Sequence, residues 1–279
     1  MEKLQAALQK AKKDRAEQAG KERSPQQADM PRADIASSGR GVDSLWQSLK
    51  TFDVSKEHLI ERRVVTREAG PVAAPFDILR TKVLLLMRQN GWKRLAITSP
   101  MPASGKTTIA CNLSLGLGRQ EDLRTILMDL DLRDPSINEF FQTEPDHGIG
   151  EMLAGRVDFA EHAMRIGSNV CCSMAKVNET DPTRLLLSEI TEKKIDDIQA
   201  AYQPDLMIFD LPSVLVNDDT RAFLKNVDCA LIVARCNSTK YGQLDRCERE
   251  IAALTNVLGI VLNAYGTTNT QKDNEDILT

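Results

Sequence analysis

The sequence lacks the features of a membrane-spanning, secreted or nucleic-acid-binding protein. Its 279 residues contain no apolar run near the ~18 residues that a membrane span needs, and the N-terminal stretch has no signal-peptide core. Six cysteines include no C-x-x-C pair, and several lie in apolar runs such as VDCALIVARC, which predicts buried, reduced thiols. Three scattered histidines argue against a zinc cluster, and a formal net charge of −4 argues against a nucleic-acid surface. We therefore expect a cytoplasmic protein that reaches the inner face of the membrane only through a partner.

The chain consists of two segments that differ in composition and hydrophobic pattern. Residues 1–70 are rich in polar and helix-breaking residues, which predicts an N-terminal extension, partly disordered with short helices. Within it, helical spacing of Met1, Leu4, Leu8 and Ala11 predicts an amphipathic helix. For residues 1–40 a frayed tail and a segment that contacts a partner or membrane both remain open.

The segment 71–279 alternates helical stretches with short apolar strands. The strand candidates are RLAITS, RTILMDLD, DLMIFDLP, CALIVA and GIVLNAY, and PFDILRTKVLLLMRQNG reads as a helix stopped by Asn90 and Gly91. Near-continuous apolar strands are typical of a parallel sheet that is covered on both faces. The pattern predicts an α/β domain with a doubly wound, mainly parallel sheet and helices on both faces.

The stretch ITSPMPASGKTT, residues 97–108, has the form of a phosphate-binding loop (P-loop), although Pro100 replaces the first glycine of G-x-x-x-x-G-K-[ST]. Gly105 lets the backbone approach a phosphate, Lys106 is expected to reach the β- and γ-phosphates, and the Thr107 hydroxyl is expected to bind Mg²⁺. The expected nucleotide-contacting residues are Pro102, Ala103, Ser104, Gly105, Lys106, Thr107 and Thr108. An ordinary strand-to-helix turn is the alternative that this stretch alone leaves open.

Acidic residues end two further apolar strands. Asp129 and Asp131 are two residues apart at the end of RTILMDLD, so that they would share one face of the strand, and Asp210 ends DLMIFD. Ligands bind at the carboxyl ends of the strands in such sheets, so these carboxylates are expected beside the loop. The sequence predicts an ATP site with Lys106, Asp129, Asp131 and Asp210 as catalytic residues and Mg²⁺ held by Thr107, Asp129 and Asp210.

These motifs resemble those of the bacterial tyrosine kinase (BY-kinase) family, the ATPase and autokinase modules of capsule and exopolysaccharide export, which are related to the MinD/ParA ATPases. The matching residues are Thr98, Ser99, Pro102, Gly105, Lys106 and Thr107 in the loop, Asp129, Asp131 and Arg133 in D-x-D-x-R, and Asp210 and Pro212 in D-x-P-P. The resemblance covers about residues 75–265. It implies a P-loop fold, ATP and Mg²⁺ as cofactors, and tyrosine kinase or at least ATPase activity. It also implies a homo-oligomer, a membrane-embedded polysaccharide chain-length regulator as activating partner, and a base-contacting role for Asn263.

Three functions remain open on these residues. The intact aspartate pair favours a tyrosine kinase in which Asp129 or Asp131 accepts the substrate proton, and the spacing does not say which. The final stretch, GTTNTQKDNEDILT, has no tyrosine where family kinases carry a tyrosine-rich tail, which favours an ATP-dependent assembly switch without kinase activity. Met101 stands where MinD/ParA proteins have their characteristic lysine, which disfavours a positioning ATPase that binds DNA.

Overall fold

The computed structural model describes residues 33–176 and 179–265, with side-chain surroundings from residue 41. The predicted helix at residues 1–11 and the tyrosine-free final stretch lie outside these ranges. The described strands are β1 (Lys50–Thr51), β2 (Arg94–Thr98), β3 (Thr125–Asp129), β4 (Met164–Ile166), β5 (Val170–Ser173), β6 (Leu206–Asp210), β7 (Cys229–Arg235) and β8 (Asn256–Asn263). The described helices are α1 (Ala33–Ser48), α2 (Lys56–Glu61), α3 (Ala74–Asn90), α4 (Lys106–Gly118), α5 (Ile137–Phe140), α6 (Ile149–Leu153), α7 (Phe159–His162), α8 (Pro182–Leu187), α9 (Glu189–Tyr202), α10 (Asp219–Phe223) and α11 (Tyr241–Ala252).

The described strands form one sheet in the order β1-β4-β5-β3-β6-β2-β7-β8. Every neighbouring pair is parallel except β4 and β5, which are antiparallel. Strand β2 lies between β6 and β7 in the sheet. The chain leaves β2 toward β3 on one side, whereas β7 and β8 lie on the other side, so the strand order reverses at β2. In an open α/β sheet this is the position of the ligand crevice.

Both faces of the sheet are covered, because successive strand residues point to opposite sides. Ile126 and Met128 of β3 belong to one buried cluster, which α9 and α11 cover, whereas Leu127 belongs to the cluster under α3 and α4. The predicted doubly wound, mainly parallel sheet is thus confirmed. Helix α3 ends at Asn90 as predicted, because Gly91 takes the left-handed conformation with φ 69°.

Residues 41–66 pack against the α/β core. The compact unit that carries the sheet begins at Gly41. Trp46 is 3% exposed, and its indole Nε1 donates to the carbonyl of Tyr202 at 2.8 Å. On the other face, the Asn112 side chain of α4 accepts from the Val65 amide at 2.9 Å and donates to the Arg63 carbonyl at 2.8 Å. This stretch, which the sequence assigns to the extension, therefore contributes to both buried clusters.

The six cysteines all lie in the described part of the chain and are free thiols, as predicted. Cys236 is half-buried and the other five are buried. Among the described residues, no helix is long and apolar enough to cross a membrane.

Candidate nucleotide-binding site

The loop between β2 and α4 has the backbone conformation that a phosphate-binding loop requires. Gly105 has φ 88°, and a Cβ atom at this position would lie 2.2 Å from Asn263 Nδ2. Only glycine fits both the left-handed conformation and the close approach. The carbonyl of Pro100 accepts from the Leu215 amide at 3.4 Å, so that the loop runs beside the segment after β6.

Two serine side chains brace the same turn of the loop. The hydroxyls of Ser99 and Ser104 donate to the Met101 carbonyl at 2.9 and 2.7 Å. Met101 is therefore part of the folded turn. It stands at the position where MinD/ParA proteins have their characteristic lysine. Pro102 and Ala103 are exposed, Ser104 and Thr107 are buried, and Thr108 is half-buried.

Asp129 and Asp210 lie side by side at the carboxyl ends of β3 and β6. They are register partners in this parallel strand pair, and both are 0% exposed. Asp129 Oδ2 accepts from the amides of Ser136 and Ile137, each at 3.1 Å. Burial, followed by the nearby Asp210 charge, raises the pKa of Asp129 to about 8. The strand pairing thus brings together two carboxylates that the sequence separates by 80 residues.

Asp210 is the least compensated of the described acidic side chains at this site. Neither carboxylate oxygen has a well-formed hydrogen bond to the described residues, although the Thr107 hydroxyl is placed to donate to this carboxylate. Burial raises the pKa of Asp210 to about 6, although the Lys106 charge and the Thr107 hydroxyl lower it. Buried polar atoms without partners are rare in folded proteins, and each calls for an explanation such as a bound ion.

Lys106, the first residue of α4, forms an ion pair with Asp131. Its Nζ lies 2.9 Å from Asp131 Oδ2, and the two side chains are 16% and 11% exposed. Burial lowers the pKa of Lys106, but the charges of Asp210, Asp131 and Asp129 outweigh burial and raise it to about 12. Lys106 is therefore fully charged at neutral pH and lies among three acidic side chains.

The prediction that Asp129 and Asp131 share one strand face is wrong. Strand β3 ends at Asp129, and the Asp131 amide donates to Asp129 Oδ1 at 3.2 Å, which turns the chain directly after the strand. Asp131 reaches Lys106 from the loop. This local hydrogen bond from the Asp131 amide to the Asp129 side chain takes the place of a hydrogen bond to a neighbouring strand.

The donor set at this site fits Mg²⁺ bound together with a nucleotide. The Thr107 hydroxyl, which accepts from Ser136 Oγ at 3.4 Å, and the carboxylates of Asp129 and Asp210 are hard oxygen ligands. Among the described residues, no group of three or more His, Cys, Asp and Glu side chains could hold a metal ion. Mg²⁺ commonly takes one or two carboxylates together with phosphate oxygens, so a complete protein cage is not required.

Arg133 and Asp219, both outside the predicted site, form an ion pair that joins the segment after β3 to α10. Arg133 Nε and Nη2 donate to the two carboxylate oxygens of Asp219 at 2.6 and 3.0 Å. The Thr183 hydroxyl also donates to Asp219. This bidentate pair connects the segment after β3 to α8 and α10, and D-x-D-x-R is its sequence signal.

Arg235 is a third residue that the sequence does not predict at the site. It ends β7, and its Nη1 donates to the carbonyl of Ala103 at 3.0 Å. The predicted Asn263 ends β8, and its Nδ2 donates to the carbonyl of Ser104 at 2.9 Å. Arginine is common at strand ends, so the sequence alone does not indicate that Arg235 contacts the Ala103 carbonyl.

Comparison with known proteins supports the resemblance. The chain is 25% identical over 210 residues to a putative tyrosine-protein kinase EpsB of Ralstonia nicotianae, covering 75% of this chain and 27% of that protein. It is 26% identical over 191 residues to the tyrosine-protein kinase YwqD of Bacillus subtilis, covering 67% and 79%. The chain thus spans about a quarter of the length of EpsB. No family model matches the chain.

Solved structures with a similar fold include a tyrosine kinase domain and a synthase with a bound ATP analogue and magnesium. The kinase domain of Escherichia coli tyrosine kinase ETK has a TM-score of 0.64 at 22% identity, covering 77% of this chain and 88% of that chain. Cobyrinic acid a,c-diamide synthase from Mycobacterium smegmatis, with bound ATP analogue and magnesium, has a TM-score of 0.52 at 20% identity, covering 61% and 72%. The chain is thus a homologue of bacterial tyrosine-protein kinases and has the P-loop nucleotide-binding fold, as its motifs predict.

Proposed function

We propose that the chain is an ATP-dependent protein-tyrosine kinase module that regulates the synthesis and export of an exopolysaccharide or capsule. The observation that carries this proposal is the Asp129–Asp210 register pair beside the phosphate-binding loop, with both Asp210 oxygens lacking a well-formed hydrogen bond. The names of the relatives favour a kinase over the assembly switch and the positioning ATPase.

In this function the loop binds the triphosphate and orients it. The backbone amides at the start of α4 donate to phosphate oxygens, and Lys106 leaves Asp131 to pair with the β- and γ-phosphates. Thr107, Asp129 and Asp210 would hold Mg²⁺, which would neutralise phosphate charge. Lys106 is suited to this exchange of partners because it is charged at neutral pH.

The exchange assigns separate roles to the two aspartates of the D-x-D-x-R motif. Asp129 is held by three backbone amides, those of Asp131, Ser136 and Ile137, which orients it as a metal-holding residue. Asp131 loses its ion-pair partner when Lys106 turns to the nucleotide. We assign Asp131 as the proton acceptor on this basis.

The reaction transfers the γ-phosphoryl group to a tyrosine hydroxyl. The tyrosine oxygen bonds to the γ-phosphorus while the bond from that phosphorus to the bridging oxygen breaks, and ADP leaves. The phenolic proton passes to Asp131. Because the reference pKa of tyrosine is about 10, a nearby carboxylate is needed at neutral pH.

The proposed activating partner is a membrane-embedded polysaccharide chain-length regulator, which would also bring the chain to the inner face of the membrane. The support for this partner is the motif resemblance. Self-association of the chain is part of the same proposal.

The test is incubation of the purified protein with γ-labelled ATP and Mg²⁺, with and without the cytoplasmic tail of such a regulator. We expect labelled phosphotyrosine that is lost in Lys106→Met. Lys82→Met is the matched control, because Lys82 is exposed on α3 and should leave labelling unchanged. ATP hydrolysis without phosphotyrosine under both conditions would contradict the kinase and support the assembly switch.

A further inference from the structure

Arg235 and Asn263 hold two consecutive carbonyl groups of the phosphate-binding loop. They are register partners at the ends of the adjacent parallel strands β7 and β8, so their side chains leave the sheet on the same face. Arg235 Nη1 donates to the Ala103 carbonyl at 3.0 Å and Asn263 Nδ2 donates to the Ser104 carbonyl at 2.9 Å. We call these two residues the loop clamp.

The two strand ends that carry the clamp are tied to each other and to the following turn. The Cys236 amide donates to the Asn263 carbonyl at 2.9 Å. The Arg235 amide donates to the Thr239 hydroxyl at 2.8 Å, and the Ala264 amide donates to Asn263 Oδ1 at 2.9 Å. Both ends of the Asn263 amide are therefore engaged in holding the backbone.

The clamp acts on a strained part of the loop. Ala103 has φ 58°, in the left-handed region that residues other than glycine, asparagine and aspartate rarely adopt. Such a conformation persists only where the surroundings impose it, and strained residues of this kind cluster at ligand-binding sites. The Arg235 hydrogen bond to the carbonyl of Ala103 itself is a contact that imposes it.

Peptide geometry connects the clamp to phosphate binding. In a trans peptide unit the carbonyl and the following N–H point in opposite directions, and the described part of the chain contains no cis peptide. Holding the Ala103 and Ser104 carbonyls toward β7 and β8 therefore turns the amides of Ser104 and Gly105 away from those strands. These are two of the loop amides that the proposed function requires to face the phosphates.

We propose that Arg235 and Asn263 are positioning residues that pre-form the phosphate-binding loop by holding its backbone carbonyl groups. This proposal rests on the proposed nucleotide-binding function for its purpose, whereas the clamp itself is a property of the nucleotide-free protein. Arg235 acts through the backbone of Ala103 and need not touch the substrate.

The experiment has one readout without nucleotide and one with it. Amide hydrogen exchange of the nucleotide-free protein is followed over residues 99–108 in the wild type, Arg235→Ala, Arg235→Lys and the control Arg249→Ala. Arg249 is an exposed arginine on α11 whose one ion pair among the described residues is with Asp245. We expect about tenfold faster exchange at the loop in Arg235→Ala, the size expected for loss of one charge-assisted hydrogen bond, with recovery in Arg235→Lys and no change in Arg249→Ala.

Kinetic constants give the second readout. Arg235→Ala should raise the KM for ATP about tenfold with little change in kcat, because a pre-formed loop binds the phosphates equally in the ground and transition states. Adding Ala103→Gly to Arg235→Ala should bring the KM part of the way back, because glycine adopts φ 58° without strain. A general loss of folding would not be relieved by this second change.

The outcomes separate the clamp from the proposed function. Unchanged loop exchange in Arg235→Ala, or a KM equal to that of the wild type, would overturn the clamp. A wild-type protein that binds no ATP would overturn the proposed function, and the nucleotide-free exchange would still decide whether the clamp holds the loop. Loop exchange and KM that rise together support the proposal.

Discussion

Asp129 and Asp210 face each other at the ends of two adjacent parallel strands, and neither side chain is exposed to solvent. With Asp131 they place three carboxylates around the single ammonium group of Lys106. Burial, followed by the proximity of the other carboxylates, raises the pKa values of Asp129 and Asp210, and the Lys106 charge offsets part of the increase at Asp210. A site of this kind is less stable than its surroundings until cationic and phosphate ligands complete it.

Removing one of these charges should stabilise the nucleotide-free protein. For Asp210→Asn we expect an unfolding free energy at pH 8 that is higher by roughly 1–3 kcal/mol, because a buried carboxylate whose pKa burial raises to about 6 becomes a neutral amide. The same variant should lose the extra stability that MgATP confers. Urea unfolding in EDTA and in MgATP measures both effects.

Asp122→Asn, at an exposed position, is the control for that experiment and should change neither value. An Asp210→Asn protein that is less stable than the wild type in EDTA would contradict the electrostatic account. Stabilisation by MgATP equal to that of the wild type would show that Asp210 does not help to hold the metal.

The Lys106–Asp131 ion pair should compete with the nucleotide for the lysine. In Asp131→Asn, Lys106 is released from its 2.9 Å partner, so we expect ATP to bind several-fold more tightly. Phosphotyrosine formation should fall about 100-fold or more, because the proton acceptor is lost. Equilibrium binding of a labelled non-hydrolysable ATP analogue and single-turnover transfer measure the two effects.

Asp134→Asn in the same loop is the matched control, since Asp134 is exposed and the ion-pair partner of Lys106 is Asp131. If binding and transfer fall together in Asp131→Asn, the competition for the lysine is wrong. Transfer at the wild-type rate would instead leave Asp129 as the proton acceptor.

His162 should make the protein sensitive to acid. It is buried, its Nδ1 donates to the His147 carbonyl at 2.9 Å, and its Nε2 accepts from the Ser173 hydroxyl at 2.6 Å. Burial lowers its pKa from 6.5 to about 4. The neutral ring therefore contributes stability above pH 6.5, which is lost as the pH falls toward 4, by roughly 3 kcal/mol in total.

The check for His162 is urea unfolding at pH 7.5 and 4.5 in the wild type and in His162→Gln. The loss of unfolding free energy between these two values should be smaller in the variant, because glutamine takes up no proton. His147→Gln, whose side chain is exposed, should keep the wild-type dependence. The same loss in His162→Gln would assign the acid sensitivity to other groups.

Asn112 should be a main anchor of the N-terminal segment on the core. Asn112→Ala leaves the Val65 amide and the Arg63 carbonyl without their partner, so we expect a loss of roughly 2–4 kcal/mol. Asn90→Ala, which removes one exposed hydrogen bond to the Leu86 carbonyl, should cost under about 0.5 kcal/mol. Urea midpoints measure both variants, and equal midpoints would show that the 63–66 segment adds no stability.

Much of the fold could be predicted because its signals are local. The apolar runs that become β2, β3, β6, β7 and β8 are each continuous in sequence, and a sheet buried on both faces requires such runs. The strands β1, β4 and β5 were not predicted, since β1 has two residues and β4 has three, and their pairing is non-local. Trp46 lies in the stretch that the sequence assigns to the extension, and its burial depends on Tyr202, which is 156 residues away in the chain.

The chemistry of the candidate site divides in the same way. The sequence by itself determined the residue types: a glycine before a lysine and a threonine, and aspartates after two apolar strands, because phosphate and Mg²⁺ binding depend on donors that a short motif supplies. Tertiary structure alone decided that Asp129 meets Asp210, that Asp131 leaves the strand to pair with Lys106, and that Arg235 and Asn263 reach the loop. Strand order and register set these contacts, and they arise from packing across the whole sheet, which no local stretch of sequence specifies.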